Sequence, residues 1–116
     1  MKNINGKGKE YHDNGKEEFE GEYLNGKLNG KGKEYDDDSN NTIKFEGEYL
    51  NGKRNGKGKE YDEDGILIFI GEYLNGKRWD GKGLDKYGNI IYELKGGKGL
   101  IKEYNDDGKL KFECEI

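Results

Sequence analysis

The stretch FEGEYLNGKRNGKGKEY, from Phe45 to Tyr61, is almost duplicated from Phe19 to Tyr35, where Leu28 stands in place of Arg54, and a looser third copy begins at Phe69. At its centre, Asn51-Gly52 joins two residue types that tolerate positive φ, as both central positions of a type I′ turn require, so the unit reads as a β-hairpin. This turn sets a register in which Leu50 faces Lys53, Tyr49 faces Arg54, Glu48 faces Asn55, Gly47 faces Gly56, Glu46 faces Lys57 and Phe45 faces Gly58. Side chains alternate across a strand. Phe45, Gly47 and Tyr49 therefore share one face with Arg54, Gly56 and Gly58, and Glu46 and Glu48 share the other with Lys57. One face is aromatic over glycine, with each ring resting on backbone that carries no side chain; the other is a ladder of charges. Phe19 over Gly32 is the same arrangement one unit earlier.

Outward from this unit, the first-strand aromatics Phe19, Phe45, Phe69, Tyr92 and Phe112 follow one another at separations of 26, 24, 23 and 20 residues, the mark of an internal repeat. The chain divides, within one domain over residues 1–116, into a half repeat at 1–18, repeats at 19–44, 45–68, 69–91 and 92–111, and a terminal strand at 112–116. Second turns fall at HDNG (12–15), DDDSNN (36–41), DEDG (62–65), KYGN (86–89) and NDDG (105–108). Read as type I′, Asp64-Gly65 pairs Gly58 with Gly71, Glu60 with Phe69 and Tyr61 with Ile68, while Asn14-Gly15 places Gly8 against Gly21, Lys9 against Glu20 and Glu10 against Phe19. Both turns keep the faces set by the first. The fold class is thus all-β, a single-layer, elongated and twisted antiparallel meander of about ten strands, roughly 48 Å long at the usual strand spacing.

Two units depart from the pattern. The run NGKRWDGKG, residues 75–83, reads as one residue longer than NGKRNGKG, which puts Trp79 and Asp80 in a β-bulge. In the fourth unit Gly96-Gly97 makes the hairpin tip. Ile90, Tyr92, Leu94, Ile101, Phe112, Cys114 and Ile116 then share a face, which predicts a denser apolar core at the C-terminal end.

Only 29% of residues are hydrophobic and 40% are charged, a balance that by itself suggests disorder. The periodicity and the 12% aromatic content argue for a fold, since each Tyr or Phe can bury about 150 to 250 Å². Absence of Ala and the spread of 21 Gly exclude long helices. A net charge of −4 with interleaved signs disfavours nucleic acid as a partner, and counts against a membrane surface. With one cysteine, an amino terminus without an apolar run, and no stretch near the roughly 18 apolar residues of a spanning helix, a cytoplasmic location is expected.

Written out, F-E-G-E-Y-L-N-G-K-x-N-G-K-G resembles the MORN repeat, aromatic-x-Gly-x-aromatic-x-x-Gly-Lys-x-x-Gly-x-Gly. Phe19, Gly21, Tyr23, Gly26, Lys27, Gly30 and Gly32 match it, as do Phe45, Gly47, Tyr49, Gly52, Lys53, Gly56 and Gly58. In the third copy Phe69, Gly71, Tyr73, Gly76, Lys77, Gly81 and Gly83 match with allowance for the bulge. MORN strands usually carry an aromatic two residues after the last glycine; here Glu34 and Glu60 stand there and Tyr35 and Tyr61 follow. That feature and the C-terminal GKLKFE look like MORN variant repeats. The resemblance implies an elongated β array that acts as a scaffold, a dimerisation module or a lipid-proximal adaptor, without catalysis of its own.

The chemistry-bearing residues support no reaction. His12, Ser39, Thr42 and Cys114 lie in turns or at opposite ends, so no nucleophile sits beside a base; His12 reads as a turn residue and Cys114 as core. The acidic turn from Asp62 to Gly65 invites a calcium reading, but such a loop needs about six to eight oxygen ligands, including a later acid, and Ile66 to Ile70 supplies none. The Asp36 to Asn41 loop is the better candidate and still a weak one, so no metal and no cofactor are expected. Lys57 and Lys59 beside Glu46 and Glu48 read first as cross-strand ion pairs and second as a phosphoinositide surface. Phe19, Tyr23, Phe45, Tyr49, Phe69 and Tyr73 read either as core or as the lining of a groove for a protein or peptide. In the last strand Phe112, Cys114 and Ile116 alternate on one face, an edge through which a homodimer could form. The expected function is a non-enzymatic scaffold for protein interaction, the alternative a peripheral adaptor on phospholipid.

Overall fold

The structure, a computed structural model, describes residues 4–37 and 42–115. Ten strands follow in chain order: β1 (Gly6–Tyr11), β2 (Glu17–Leu24), β3 (Lys27–Tyr35), β4 (Ile43–Leu50), β5 (Lys53–Tyr61), β6 (Leu67–Leu74), β7 (Lys77–Leu84), β8 (Ile90–Lys95), β9 (Lys98–Tyr104) and β10 (Leu110–Glu115). They form one antiparallel sheet in which every strand pairs with its sequence neighbours, as the meander requires. The molecule measures 51 × 31 × 18 Å. Its radius of gyration, 15.9 Å, exceeds the roughly 13 Å of a compact domain of this length, so the array is elongated.

The Asn-Gly hairpins have the expected geometry. Asn25, Asn51 and Asn75 sit at φ 53, 50 and 49°, followed by Gly26, Gly52 and Gly76 at 79, 82 and 88°, the two left-handed residues of a type I′ turn. Gly96 and Gly97 repeat it at 58 and 76°. The second turns are built otherwise. At Asp62 to Ile66 only Gly65 is left-handed, at 81°; its N–H donates to the Asp62 carbonyl at 3.0 Å, and the Asp62 N–H to that of Ile66 at 2.9 Å. This is a type I turn closed by an αL glycine, not type I′, because the Asp62 carboxylate takes the N–H groups of Asp64 and Ile66 and needs no left-handed residue at 64. Tyr61 consequently faces Leu67 instead of Ile68. The fourth-unit turn begins at Asp85, one residue earlier than the sequence suggested.

Beyond Tyr49 and Arg54 the expected register fails. Glu48 stands opposite a three-residue bulge, Asn55-Gly56-Lys57, so Gly47 pairs with Gly58, Glu46 with Lys59 and Phe45 with Glu60. The slip is two residues, and an even slip leaves every side chain on its expected face. Gly56 at φ 104° allows the bulge, and the Glu48 carboxylate closes it by accepting the Lys57 N–H at 2.7 Å. The second asparagine of each unit has a purpose that sequence did not reveal. Asn5, Asn29 and Asn55 accept the N–H groups of Asn25, Asn51 and Asn75, so each bulge holds the tip of the following hairpin. In the third unit Gly71 pairs with Gly81, so the Trp79-Asp80 bulge has one residue fewer than its counterparts, not one more. That is why Phe69 and Tyr92 are 23 residues apart and Phe45 and Phe69 are 24. Asp80 replaces the missing asparagine, accepting the Gly96 N–H at 2.8 Å.

Paired glycines cross seven strands, from Gly8 through Gly21, Gly32, Gly47, Gly58 and Gly71 to Gly81. Rings lie on this row: Tyr23 over Gly8, Tyr49 over Gly32, and Phe45 with Tyr73 over Gly58. Gly32 is thus covered by Tyr49, not by Phe19. The core is Leu28, Phe45, Tyr49, Phe69, Tyr73 and Leu94, with Phe19, Tyr23 and Tyr92 packed against it. The expected dense C-terminal core is not formed. Leu94 is buried there, but Ile90, Phe112 and Cys114 are exposed and Ile101 is half-buried, while Ile116 lies outside the described residues. A ring needs a glycine beneath it to lie flat, and between β8 and β9 only Gly99, opposite Leu94, offers one.

Candidate functional site

The two faces of the sheet have different chemistry. On the aromatic face Phe45 meets Tyr49 and Tyr73 edge-on at centroid distances of 5.5 and 4.9 Å, and Phe69 meets Tyr73 at 5.7 Å. Guanidinium groups roof the rings, Arg54 at 4.2 Å from the Phe45 centroid and Arg78 at 4.6 Å from that of Phe69, a cation–π arrangement. Arg54 donates two hydrogen bonds to Glu34, at 2.8 and 3.0 Å. Arg78 donates two to Glu60, at 2.8 and 2.9 Å, and one to the Tyr92 oxygen at 2.6 Å.

Buried phenols complete this network. Tyr49 donates to Glu34 at 2.8 Å, Tyr73 to Glu60 at 2.7 Å and Tyr23 to Glu10 at 2.8 Å. The glutamates that stand where MORN strands usually carry an aromatic are therefore the acceptors for both the arginine and the tyrosine. Burial, followed by the neighbouring carboxylate, pushes the Tyr49 and Tyr73 hydroxyls far above the ordinary tyrosine range. Burial alone would raise the Glu60 carboxyl, but the hydrogen bonds from Arg78 and Tyr73 and the charges of Arg78 and Arg54 outweigh it and hold Glu60 below its usual value.

Of the six aromatic residues proposed from sequence as a binding face, Phe45, Tyr49, Phe69 and Tyr73 are buried and Phe19 and Tyr23 half-buried. They are brought together as core. Leu28, the residue in the place of Arg54, is itself buried, so this position accepts either an arginine roof or an aliphatic one. Arg54→Ala should cost about 3 kcal/mol, because it uncovers Phe45 and strips Glu34 of its partner, and Arg54→Leu, which restores the cover, should cost clearly less in urea unfolding. Equal losses would show that the charge alone matters.

The opposite face carries a groove of about 1210 Å³ whose floor is the glycine row. Lys-Gly-Lys triplets on β1, β3 and β5, centred on Gly8, Gly32 and Gly58, alternate with Glu-Gly-Glu triplets on β2 and β4, centred on Gly21 and Gly47; Ile70-Gly71-Glu72 on β6 ends the series. The expected cross-strand ion pairs mostly do not close. Lys9 reaches Glu17 at 3.0 Å and Glu20 at 3.8 Å, but among the described residues no ion pair involves Lys31, Lys33, Lys57 or Lys59. The carboxylates are engaged otherwise. Glu20 accepts the Tyr35 hydroxyl at 2.9 Å and Glu46 that of Tyr61 at 2.6 Å. Glu22 and Glu48 accept the backbone N–H groups of Lys31 and Lys57. Burial and these hydrogen bonds push Tyr35 and Tyr61 up to about 12.

A rim beside the groove also went unread in the sequence. Leu24, Leu50 and Leu74, exposed to 47, 49 and 43%, pair with Lys27, Lys53 and Lys77, and the Leu before the hairpin-tip Asn-Gly at 25, 51 and 75 was its signal. His12 stands in its turn as expected, half-buried, with Nε2 3.2 Å from the Tyr35 carbonyl. Cys114 is exposed and is not core, and every residue of β10 is exposed with it. Among the described residues no cluster of His, Cys, Asp or Glu could hold a metal ion; positions 38–41 of the acidic loop lie outside the described residues.

The MORN repeat family model matches residues 19–40 and 45–66, and that of the MORN repeat variant matches residues 98–116. No curated protein and no solved structure matches the chain. The first two matches cover β2 and β3 and then β4 and β5, strands joined by paired glycines, and the variant match covers β9 and β10, where that pairing is lost. With more than half of its length matched and the repeat geometry carried through seven strands, the chain belongs to the MORN-repeat family.

Proposed function

We propose that this protein is a non-enzymatic repeat scaffold that docks another protein in the groove of its charged face. The observation that carries this reading is a long groove floored by bare glycine backbone and flanked by Lys31, Lys33, Lys57 and Lys59, which have no carboxylate partner among the described residues. The reading places the docking surface on the side of the sheet opposite to the rings, because those rings are spent on the core and roofed by Arg54 and Arg78. A photo-reactive amino acid in place of Lys33 should cross-link the partner in native cells, whereas one in place of the exposed Tyr87 should not. Equal cross-linking from both positions would count against the groove.

A second reading, an adaptor on an anionic phospholipid surface, is favoured by the rim of exposed leucines and lysines. Each lysine near such a surface contributes about 1 kcal/mol, and the net charge of −4 opposes it. Salt-sensitive sedimentation with phosphatidylserine vesicles, abolished when Lys27, Lys53 and Lys77 are all changed to Glu, would put this reading first.

A further inference from the structure

The spacing of the lysine triplets constrains what the groove can hold. Neighbouring strands lie about 4.8 Å apart, so triplets on alternate strands, at Gly8, Gly32 and Gly58, recur about every 9.6 Å across the sheet. Three residues of an extended chain in polyproline II advance about 9.3 Å and complete one turn, so every third side chain returns to the same side. An α-helix at 1.5 Å per residue comes back to the same side after seven residues, or about 10.5 Å, and falls out of step by about 1 Å at each repeat.

The charges give the pattern. The carboxylates of Glu20 and Glu46 are occupied by Tyr35 and Tyr61, whereas the ammonium groups of Lys31, Lys33, Lys57 and Lys59 have no ion-pair partner among the described residues. Lys9 is partly taken by Glu17, so the two inner lysine bands carry the attraction. Resting on the groove reading above, we propose that the groove binds an extended peptide segment of roughly nine residues with an acidic side chain at every third position and a basic or hydrogen-bond-donating one between. The acids meet the lysine bands, and the donors meet the outer oxygens of the glutamate bands. Glycines in the floor let the peptide backbone approach closely.

Two labelled synthetic peptides of equal composition test this by fluorescence anisotropy at low salt, one repeating Glu-Gly-Lys and one with the same residues in three blocks. The repeating peptide should bind about tenfold more tightly. Lys31→Glu combined with Lys57→Glu should erase the difference, and Lys111→Glu on β10 should leave it intact, with circular dichroism confirming that each variant is folded. Equal affinity for the two peptides, binding of neither, or displacement by inorganic polyphosphate at equal charge as readily as by the repeating peptide would overturn the triplet pattern. Those results would leave cross-linking from residue 33 to decide separately whether the groove docks a protein at all.

Discussion

Gly47→Ala should cost about 3 kcal/mol or more, while Lys57→Ala, on the strand opposite, should cost less than about 0.5 kcal/mol. An alanine Cβ at 47 would run into the Lys57 carbonyl oxygen and stand 2.6 Å from the Gly58 Cα and 3.0 Å from the tip of the Phe45 ring. Two of these obstacles are backbone of the paired strand. They cannot turn aside as a flexible side chain can, so either the strands part or Phe45 leaves its seat. Gly47 has no left-handed φ, so the need is for space and not for conformational freedom. Gly56 presents the opposite case, with φ at 104° and only the movable Glu48 side chain ahead of it; Gly56→Ala should cost a more modest 1 kcal/mol or so in backbone strain. For a domain whose total stability is on the order of 5 to 15 kcal/mol, the Gly47 loss is a large share. Urea midpoints of the three variants check the ranking, and a Gly47→Ala protein as stable as Lys57→Ala would mean that the strands do not approach as described.

Alkaline unfolding should be steep and should begin near pH 10. Tyr49 and Tyr73 are held neutral in the folded state by burial and by the carboxylates of Glu34 and Glu60, so their folded values lie far above the ordinary 10.0 of an unfolded chain. A raised folded value gives stability that is complete below the unfolded value and is lost as pH climbs toward the folded one. Each such tyrosine then takes away about 1.4 kcal/mol per pH unit, and the pair about 2.7. Phenolate formation at Tyr49 and Tyr73 and the loss of the β-sheet circular dichroism signal should therefore occur together. Phenolates of Tyr49 and Tyr73 appearing while the sheet persists would contradict the hydrogen bonds. Glu60 acts in the reverse sense: with its folded value lowered, its contribution is present above the unfolded value of 4.5 and is lost as pH falls through the folded one.

Asn51-Gly52 and its copies were sufficient to read the strand count and both faces, because a two-residue turn and a period of two leave little freedom. The bulge was hidden for a physical reason. Asn55-Gly56 has the same letters as a turn, yet it serves as a bulge whose side chain holds the tip of the next hairpin, an interaction between repeats that no single repeat displays. The candidate site was less legible. Rings on glycine could be core or groove by pattern alone, and what decided it was the arginine roof together with the hydroxyl-to-glutamate bonds at Glu34 and Glu60. Alternating Lys and Glu implied ion pairing. Tyr35 and Tyr61, one position past the expected aromatic, instead claim the carboxylates of Glu20 and Glu46 and leave lysines available.

The uncrossed order of the ten strands also bears on how the chain emerges from the ribosome. Residues 19–35 and 45–61 are so alike that β3 could pair with β6 almost as well as with β4, displacing the whole array by one repeat. Synthesis at about 5 to 20 residues per second delivers one unit every few seconds, whereas a hairpin closes in about 1 to 10 microseconds. Each strand is therefore paired long before its near-copy exists, and the order of translation supplies the discrimination that the repeated sequence lacks.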